Sequence, residues 1–210
     1  VEDMLFFLQE MYYMLHILSK RIAFLVCKKT DKIPFEIYVY GFELLVSSII
    51  ETGALILIGG LIGKFVETIL FIISFSSIRF FSGGYHANSY LKCFVVTMIS
   101  YILILLMTNI LSELSYSIIV LIALMIFVLS LILFIKICPV YSNGKTIFNP
   151  TMQKKLSVIA LCINIILSVA LFSIHQNYML IIVLLTIFTV DAMIIIEKLK
   201  QGVEKNEKNK

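Results

Sequence analysis

The amino-acid sequence predicts an all-α polytopic membrane protein, on the basis of its composition and the spacing of its charges. The 210 residues are 60% hydrophobic and only 14% charged, and the mean hydropathy is +1.04. A soluble domain does not need so much apolar surface. Long charge-free runs suit membrane helices, because about 20 apolar residues cross the hydrocarbon core. We therefore predict a helix bundle with about six transmembrane helices, preceded by an amphipathic interfacial helix.

The predicted spans are separated by charged or polar residues. The charge-free stretch 156–190 would be about 50 Å long as one helix, so His175-Gln176-Asn177 is predicted to divide it into two spans. Residues 1–200 are expected to form one membrane-embedded domain, followed by a polar, frayed tail at 201–210. The amphipathic helix is predicted within 1–30, and the spans at 40–63, 65–81, 94–111, 114–135, 156–174 and 178–197.

The N-terminal helix has an apolar stripe and a polar face. The polar face carries Gln9, His16 and Lys20, and basic residues near the helix end suit an anionic inner leaflet. Packing of the stripe against the bundle or against a second copy is an equally good interpretation. The stripe consists of Met4, Met11, Met14, Leu15, Leu18, Ile22, Leu25 and Val26.

Lysine and arginine residues predict the orientation of the chain. With the N-terminus inside, the inner segments are 1–39, 79–92, 136–155 and the tail from Lys198. They hold every Lys and Arg except Lys64. This distribution follows the positive-inside rule. Both termini and residues 79–93 are therefore expected at the cytoplasmic face, where Cys93 stays reduced.

Residues 79–93 read RFFSGGYHANSYLKC and bring reactive groups together. The imidazole of His86 can take the proton of the Cys93 thiol and create an activated nucleophile. On one straight helix the two residues would stand about 10.5 Å apart along the axis, too far for a hydrogen bond. A working pair therefore requires a break, predicted at Gly83-Gly84 or Asn88-Ser89, with Cys93 one turn into the next helix.

The neighbouring residues have two interpretations. Free N–H groups at Gly83-Gly84, and the side chain of Arg79, are candidates for binding an oxyanion. Arg79 is equally a candidate ion-pair partner for a carboxylate within the spans, namely Glu43, Glu51 or Asp191. From spacing alone, the cysteine and the glycine pair are also compatible with plain helix packing.

The remaining cysteines, Cys27, Cys138 and Cys162, are interpreted as packing residues. The four cysteines have neither paired nor metal-ligand spacing, so we expect no disulfide framework, no metal site and no cofactor. In a membrane protein the net charge of +4 is informative about the orientation of the chain in the bilayer. We see no surface of basic and aromatic residues that would bind nucleic acid.

The string from Arg79 to Ala87 with its Ser82-Gly83-Gly84 element, followed by Cys93, resembles the accessory gene regulator protein B (AgrB) family. These are bacterial membrane endopeptidases that process quorum-sensing propeptides. In the second inner loop Pro139 and Lys145 also fit the family pattern, whereas Gly144 separates Asn143 from Lys145.

The resemblance implies an activity and a set of partners. Cys93 and His86 would be catalytic, with Arg79, Ser82, Gly83 and Gly84 as oxyanion or structural support, and Lys145, Glu43 and Glu51 as candidate substrate contacts. The substrate would be an AgrD-type propeptide whose C-terminal tail is removed before a thiolactone or lactone ring closes. The expected setting is the bacterial cell membrane, and a homodimer is expected. Rival hypotheses are a small peptide transporter using Glu43, Glu51, Arg79 and Asp191 as pathway charges, and a non-catalytic membrane scaffold.

Overall fold

The protein is a bundle of α-helices. The computed structural model describes residues 2–26, 35–82, 90–140, 150–174 and 176–208. Within these ranges the helices are α1 (Glu2–Val26), α2 (Phe35–Leu61), α3 (Phe65–Ser82), α4 (Tyr90–Leu111), α5 (Tyr116–Lys136), α6 (Pro150–Ser173) and α7 (Asn177–Lys208).

Six helices, α2 to α7, are long and apolar enough to cross a membrane. This confirms the all-α, six-span prediction, and α6 and α7 are separate helices as expected. Several bounds differ from the prediction, and α4 and α6 begin earlier, at Tyr90 and Pro150 rather than at residues 94 and 156. Helix α2 begins at Phe35 rather than at residue 40, and α7 continues to Lys208, through most of the segment predicted as a frayed tail. Lys, Glu and Gln are good helix formers, so the polar residues beyond the membrane extend the helix rather than ending it.

Helix α7 is the central element of the bundle. It packs against α3, α4, α5 and α6, and the consecutive residues from Leu180 to Leu184 are all buried. A helix that is apolar on every side belongs in the interior of a bundle. The other spans expose apolar faces, for example Leu121 and Met125 on α5, which is the surface that lipid chains cover. Helix α7 therefore forms the buried centre around which α3, α4, α5 and α6 pack.

Helices α2 and α3 form a tight hairpin at the end of the bundle that carries Lys64. Gly63 adopts a φ of 69°, and the N–H of Lys64 donates to the carbonyl of Gly59 at 2.8 Å, as in a glycine-terminated helix. The Lys64 ammonium donates to Glu67 at 3.1 Å and lies 4.5 Å from the centre of the Tyr178 ring on α7. The hydrogen bond to Glu67 raises the pKa of Lys64. These contacts connect the starts of α3 and α7.

Helix α1 turns its small and polar residues toward the bundle. His16 Nδ1 lies 2.5 Å from Glu43 Oε1 on α2, and Ser19 and Ala23 are fully buried. Met14 and Leu18, which belong to the apolar stripe, are exposed. Most of the described part of the stripe therefore faces away from the bundle. Packing of the whole stripe against the bundle therefore does not occur. Contact of the stripe with lipid or with a second copy is compatible with the structure.

Candidate functional site

Cys93 lies in the first turn of α4, which begins at Tyr90. Its side chain is partly buried. This agrees with the prediction that Cys93 stands one turn into a helix. The first turn of a helix presents free backbone N–H groups and the positive end of the helix dipole, both of which favour a negative charge. These features offset part of the cost of placing a thiolate in a partly buried position.

Arg79 is in direct contact with Cys93. Its Nη2 donates to Cys93 Sγ at 3.0 Å. The two residues belong to different helices, because α3 ends at Ser82, directly before Gly83, and α4 begins at Tyr90. On one unbroken helix they would stand about 21 Å apart along the axis. The contact therefore excludes one straight helix running through both residues, and Gly83-Gly84 and Asn88-Ser89, where the break was predicted, lie outside the described residues.

Two uncharged side chains flank the guanidinium of Arg79. The Phe75 ring, one turn earlier on α3, has its centre 5.1 Å from the guanidinium carbon. Met193 on α7 accepts a hydrogen bond from Nη1 through its sulfur at 3.4 Å. An aromatic face and a thioether attract a cation without cancelling its charge. These two contacts hold the guanidinium of Arg79 in a defined position beside the thiol.

Several predicted site residues lie outside the described residues: His86, Gly83, Gly84 and Lys145. Ser82 is described and is fully buried. Its backbone carbonyl accepts the N–H of Val140 at 3.0 Å. This bond connects the segment after α5 to the end of α3, close to the contact between Arg79 and Cys93.

The carboxylates within the spans have separate environments. Glu43 is buried and bonded to His16, and Asp191 accepts a hydrogen bond from the Ser130 hydroxyl of α5. Asp191 lies about 160° around α7 from Met193, so it faces away from Arg79. Glu51 on α2 is partly buried and close enough to Cys93 to interact with it electrostatically. Among the three, Glu51 is the carboxylate whose negative charge acts on Cys93, where it disfavours a thiolate.

The described thiols differ in their surroundings. Cys138 is 4% exposed, and burial raises its pKa to about 12, so it is an inert thiol at neutral pH. Cys162 is exposed within the span of α6, and Cys27 lies outside the described residues. Of the three described cysteines, Cys93 is the one in contact with a cation. Within the described ranges, no group of three or more His, Cys, Asp or Glu side chains is arranged to hold a metal ion.

The sequence did not identify Phe75 or Met193 as site residues. Phe75 stands four residues before Arg79, and this spacing places the two on one helix face. The sequence alone was therefore enough to predict their contact. Met193 stands among apolar residues on α7, and only the packing of α7 against α3 brings it into contact with Arg79.

The family comparison covers most of the chain. Residues 18–196 match the profile of the family described as Accessory gene regulator B. The chain belongs to the AgrB family. Membership supports a role in the agr quorum-sensing system, and six apolar helices fit a multi-pass membrane protein.

Three relatives from Clostridium perfringens are similar to this AgrB-family chain. AgrB-like protein 1 of strain 13 is 39% identical over 69 residues, which are 33% of this chain and 34% of that protein. An AgrB-like protein of strain SM101 is 29% identical over 123 residues, or 58% of each chain. AgrB-like protein 2 of strain 13 is 27% identical over 147 residues, or 68% of this chain and 69% of that protein. The chain thus matches less than two thirds of the length of the first two relatives. No solved structure matches it.

Proposed function

We propose that the protein is a membrane cysteine endopeptidase that removes the C-terminal tail of an AgrD-type propeptide and promotes its cyclisation for quorum sensing. The observation that supports this most strongly is the hydrogen bond from Arg79 Nη2 to Cys93 Sγ at 3.0 Å. It occurs on the first turn of α4, in a chain that matches the AgrB family over residues 18–196.

The first step is activation of the nucleophile. His86 takes the proton of the Cys93 thiol, and the resulting imidazolium and thiolate form an ion pair. The Arg79 guanidinium and the N-terminal end of α4 both favour the thiolate. Arg79 thus acts on the same sulfur atom that His86 deprotonates.

The second step is acyl transfer to the enzyme. The thiolate attacks the carbonyl carbon of the scissile peptide bond, and an N–H group of Arg79 or of Gly83-Gly84 stabilises the oxyanion. The bond between carbon and nitrogen then breaks, and the leaving amine takes the proton from the His86 imidazolium. The C-terminal tail departs, and the rest of the peptide is held on Cys93 as a thioester.

The third step is ring closure. A Cys or Ser side chain within the bound peptide attacks the thioester carbonyl and gives its proton to His86. The bond from this carbon to Cys93 Sγ breaks, so a thiolactone or lactone is released and Cys93 is again a thiolate paired with the His86 imidazolium. Hydrolysis of the thioester would compete with this step. A partly buried sulfur at the end of an apolar helix is less accessible to water, which favours the internal nucleophile.

The positive-inside distribution of Lys and Arg supports a location of this chemistry, and of both termini, at the cytoplasmic face of the bacterial membrane. Lys154 and Lys155 are exposed at the start of α6 and give a basic surface that attracts an acidic peptide tail. Glu51, which lies near Cys93, is a better candidate for substrate contact than Glu43, which is bonded to His16.

We further propose that the protein forms a homodimer. Met14, Leu18 and Leu25 on α1 are exposed, although they belong to one apolar stripe. A second copy that packs α1 against α1 would cover these side chains. Crosslinking in a native bilayer that finds only monomer would remove this part of the proposal.

Cleavage of a candidate propeptide by the protein in nanodiscs tests the function. We expect the wild type and Cys162→Ala to release the C-terminal tail, and Cys93→Ala and His86→Gln to release none. Tail release by Cys93→Ala would contradict the proposal. Failure of the wild type to cleave, combined with peptide accumulation in vesicles that carry the protein, would support the transporter hypothesis instead.

A further inference from the structure

Met193 stands out among the buried residues that the proposed reaction does not use. It is 6% exposed and lies on α7, the central helix of the bundle. Its sulfur is 3.4 Å from Arg79 Nη1, while Arg79 Nη2 is 3.0 Å from Cys93 Sγ. The same guanidinium thus joins a residue of α7 to the thiol of α4.

The geometry of a guanidinium makes this arrangement directional. The group is planar and rigid, so fixing one terminal nitrogen orients the other. The Phe75 ring lies against the guanidinium, 5.1 Å from its central carbon, and Met193 holds Nη1. With both contacts in place, Nη2 has little freedom other than to point at Cys93 Sγ.

The chemistry of the thioether matters as well. Sulfur in Met is a weak acceptor and carries no charge. It therefore fixes the position of Arg79 without neutralising it, whereas a carboxylate at this position would compete with a thiolate for the cation. Leu has nearly the same volume as Met, so replacing Met193 by Leu would keep the packing and remove the acceptor.

We infer that Met193 is a positioning residue that holds Arg79 on Cys93 and thereby links the central helix to the nucleophile. The inference rests on the proposed role of Cys93 as the nucleophile. It also adds a residue outside the 79–93 segment to the site. Because Met193 acts through Arg79, its effect must disappear when Arg79 is removed.

The test is the rate of alkylation of Cys93 by iodoacetamide in nanodiscs, in protein with Cys27, Cys138 and Cys162 replaced by Ala. We expect Met193→Leu to slow the reaction about threefold, the effect of losing one hydrogen bond. Met193→Gln, which restores an acceptor on an unbranched side chain, should return the rate to near the wild-type value. Met179→Leu, in the first turn of α7, is the matched control and should not change the alkylation rate.

A double-mutant cycle decides between positioning and a general structural role. In the Arg79→Gln background, Met193→Leu should cause no further loss. An equal slowing in both backgrounds, an unchanged rate in Met193→Leu, or no recovery in Met193→Gln would overturn the inference. The alkylation assay uses no peptide. Failure of the propeptide assay would therefore contradict the proposed function without affecting the alkylation result.

Discussion

The guanidinium of Arg79 on α3 donates a hydrogen bond to the thiol of Cys93 on α4, although fourteen residues separate them in the chain. A charged group at the end of an apolar span is costly unless it has a partner or a function. The contact gives Arg79 a partner, and a guanidinium nitrogen 3.0 Å from the sulfur favours the thiolate over the thiol.

The first prediction concerns this contact. Arg79→Gln should lower kcat for propeptide cleavage by about 100-fold, the loss seen when a preorganised donor is removed from an acyl-transfer site. Arg79→Lys keeps the charge but not the planar fork, so its loss should be smaller. Steady-state kinetics in nanodiscs provide the measurement. Lys136→Gln, an exposed cation at the end of α5, is the control and should retain activity. Wild-type kcat in Arg79→Gln would show that the contact has no catalytic role.

The second prediction concerns the α2–α3 hairpin. A Cβ on Gly59 would lie 1.9 Å from Thr68 Oγ1, whereas a Cβ on Gly60 would have no neighbour within 4 Å. Gly59→Ala should therefore cost about 1–3 kcal/mol by overpacking. Gly60→Ala should be neutral or stabilising, because Ala is the better helix former. Thermal unfolding in detergent compares the pair, and equal Tm values would show that the close approach is not maintained.

The third prediction concerns the attachment of α1. His16→Ala removes the contact with Glu43 and should cost about 1–2 kcal/mol while loosening α1 from α2. Spin labels on exposed positions of α1 and α2 report this as a broader distance distribution. Lys20→Ala, at an exposed position of α1, serves as the control. If the His16→Ala distribution matches the wild type, the contact does not hold the helix.

The fourth prediction concerns pH and Cys138. Burial raises the pKa of this thiol from 9.0 to about 12, so the folded state holds the proton more tightly than the unfolded state. The free energy of unfolding should be insensitive to this group below pH 9 and should fall as pH rises from 9 toward about 12.

Unfolding measured across that range in the wild type and in Cys138→Ala isolates the contribution of Cys138. The alkaline loss should be smaller in Cys138→Ala. Identical pH dependence in the two proteins would mean that the thiol of Cys138 is not protected by burial.

The sequence was sufficient for the number of spans, because long apolar stretches and the polar breaks between them indicate how many helices can cross a bilayer. The inward face of α1 was not predictable in this way. It consists of His16, Ser19 and Ala23, which read as polar or small positions, and only the buried partner Glu43 shows that they face the bundle.

The site was predictable only where it depends on local sequence and not on how the helices pack. The position of Cys93 near the start of a helix follows from local residue types. The contact between Arg79 and Cys93 depends on how α3 and α4 are placed side by side, and Met193 enters through the packing of α7. Asp191 was a candidate partner of Arg79, but the rotation of α7 turns it toward Ser130 instead.

Trapping the acyl-enzyme tests the central claim most directly. A propeptide whose internal Cys is replaced by Ala has no nucleophile for ring closure, so the thioester should accumulate on the enzyme. Intact-protein mass spectrometry after acid quench should show an adduct equal to the peptide without its tail. The adduct should be sensitive to hydroxylamine, map to Cys93, and be absent from Cys93→Ala. An adduct on Cys162, or tail release by Cys93→Ala, would contradict Cys93 as the nucleophile.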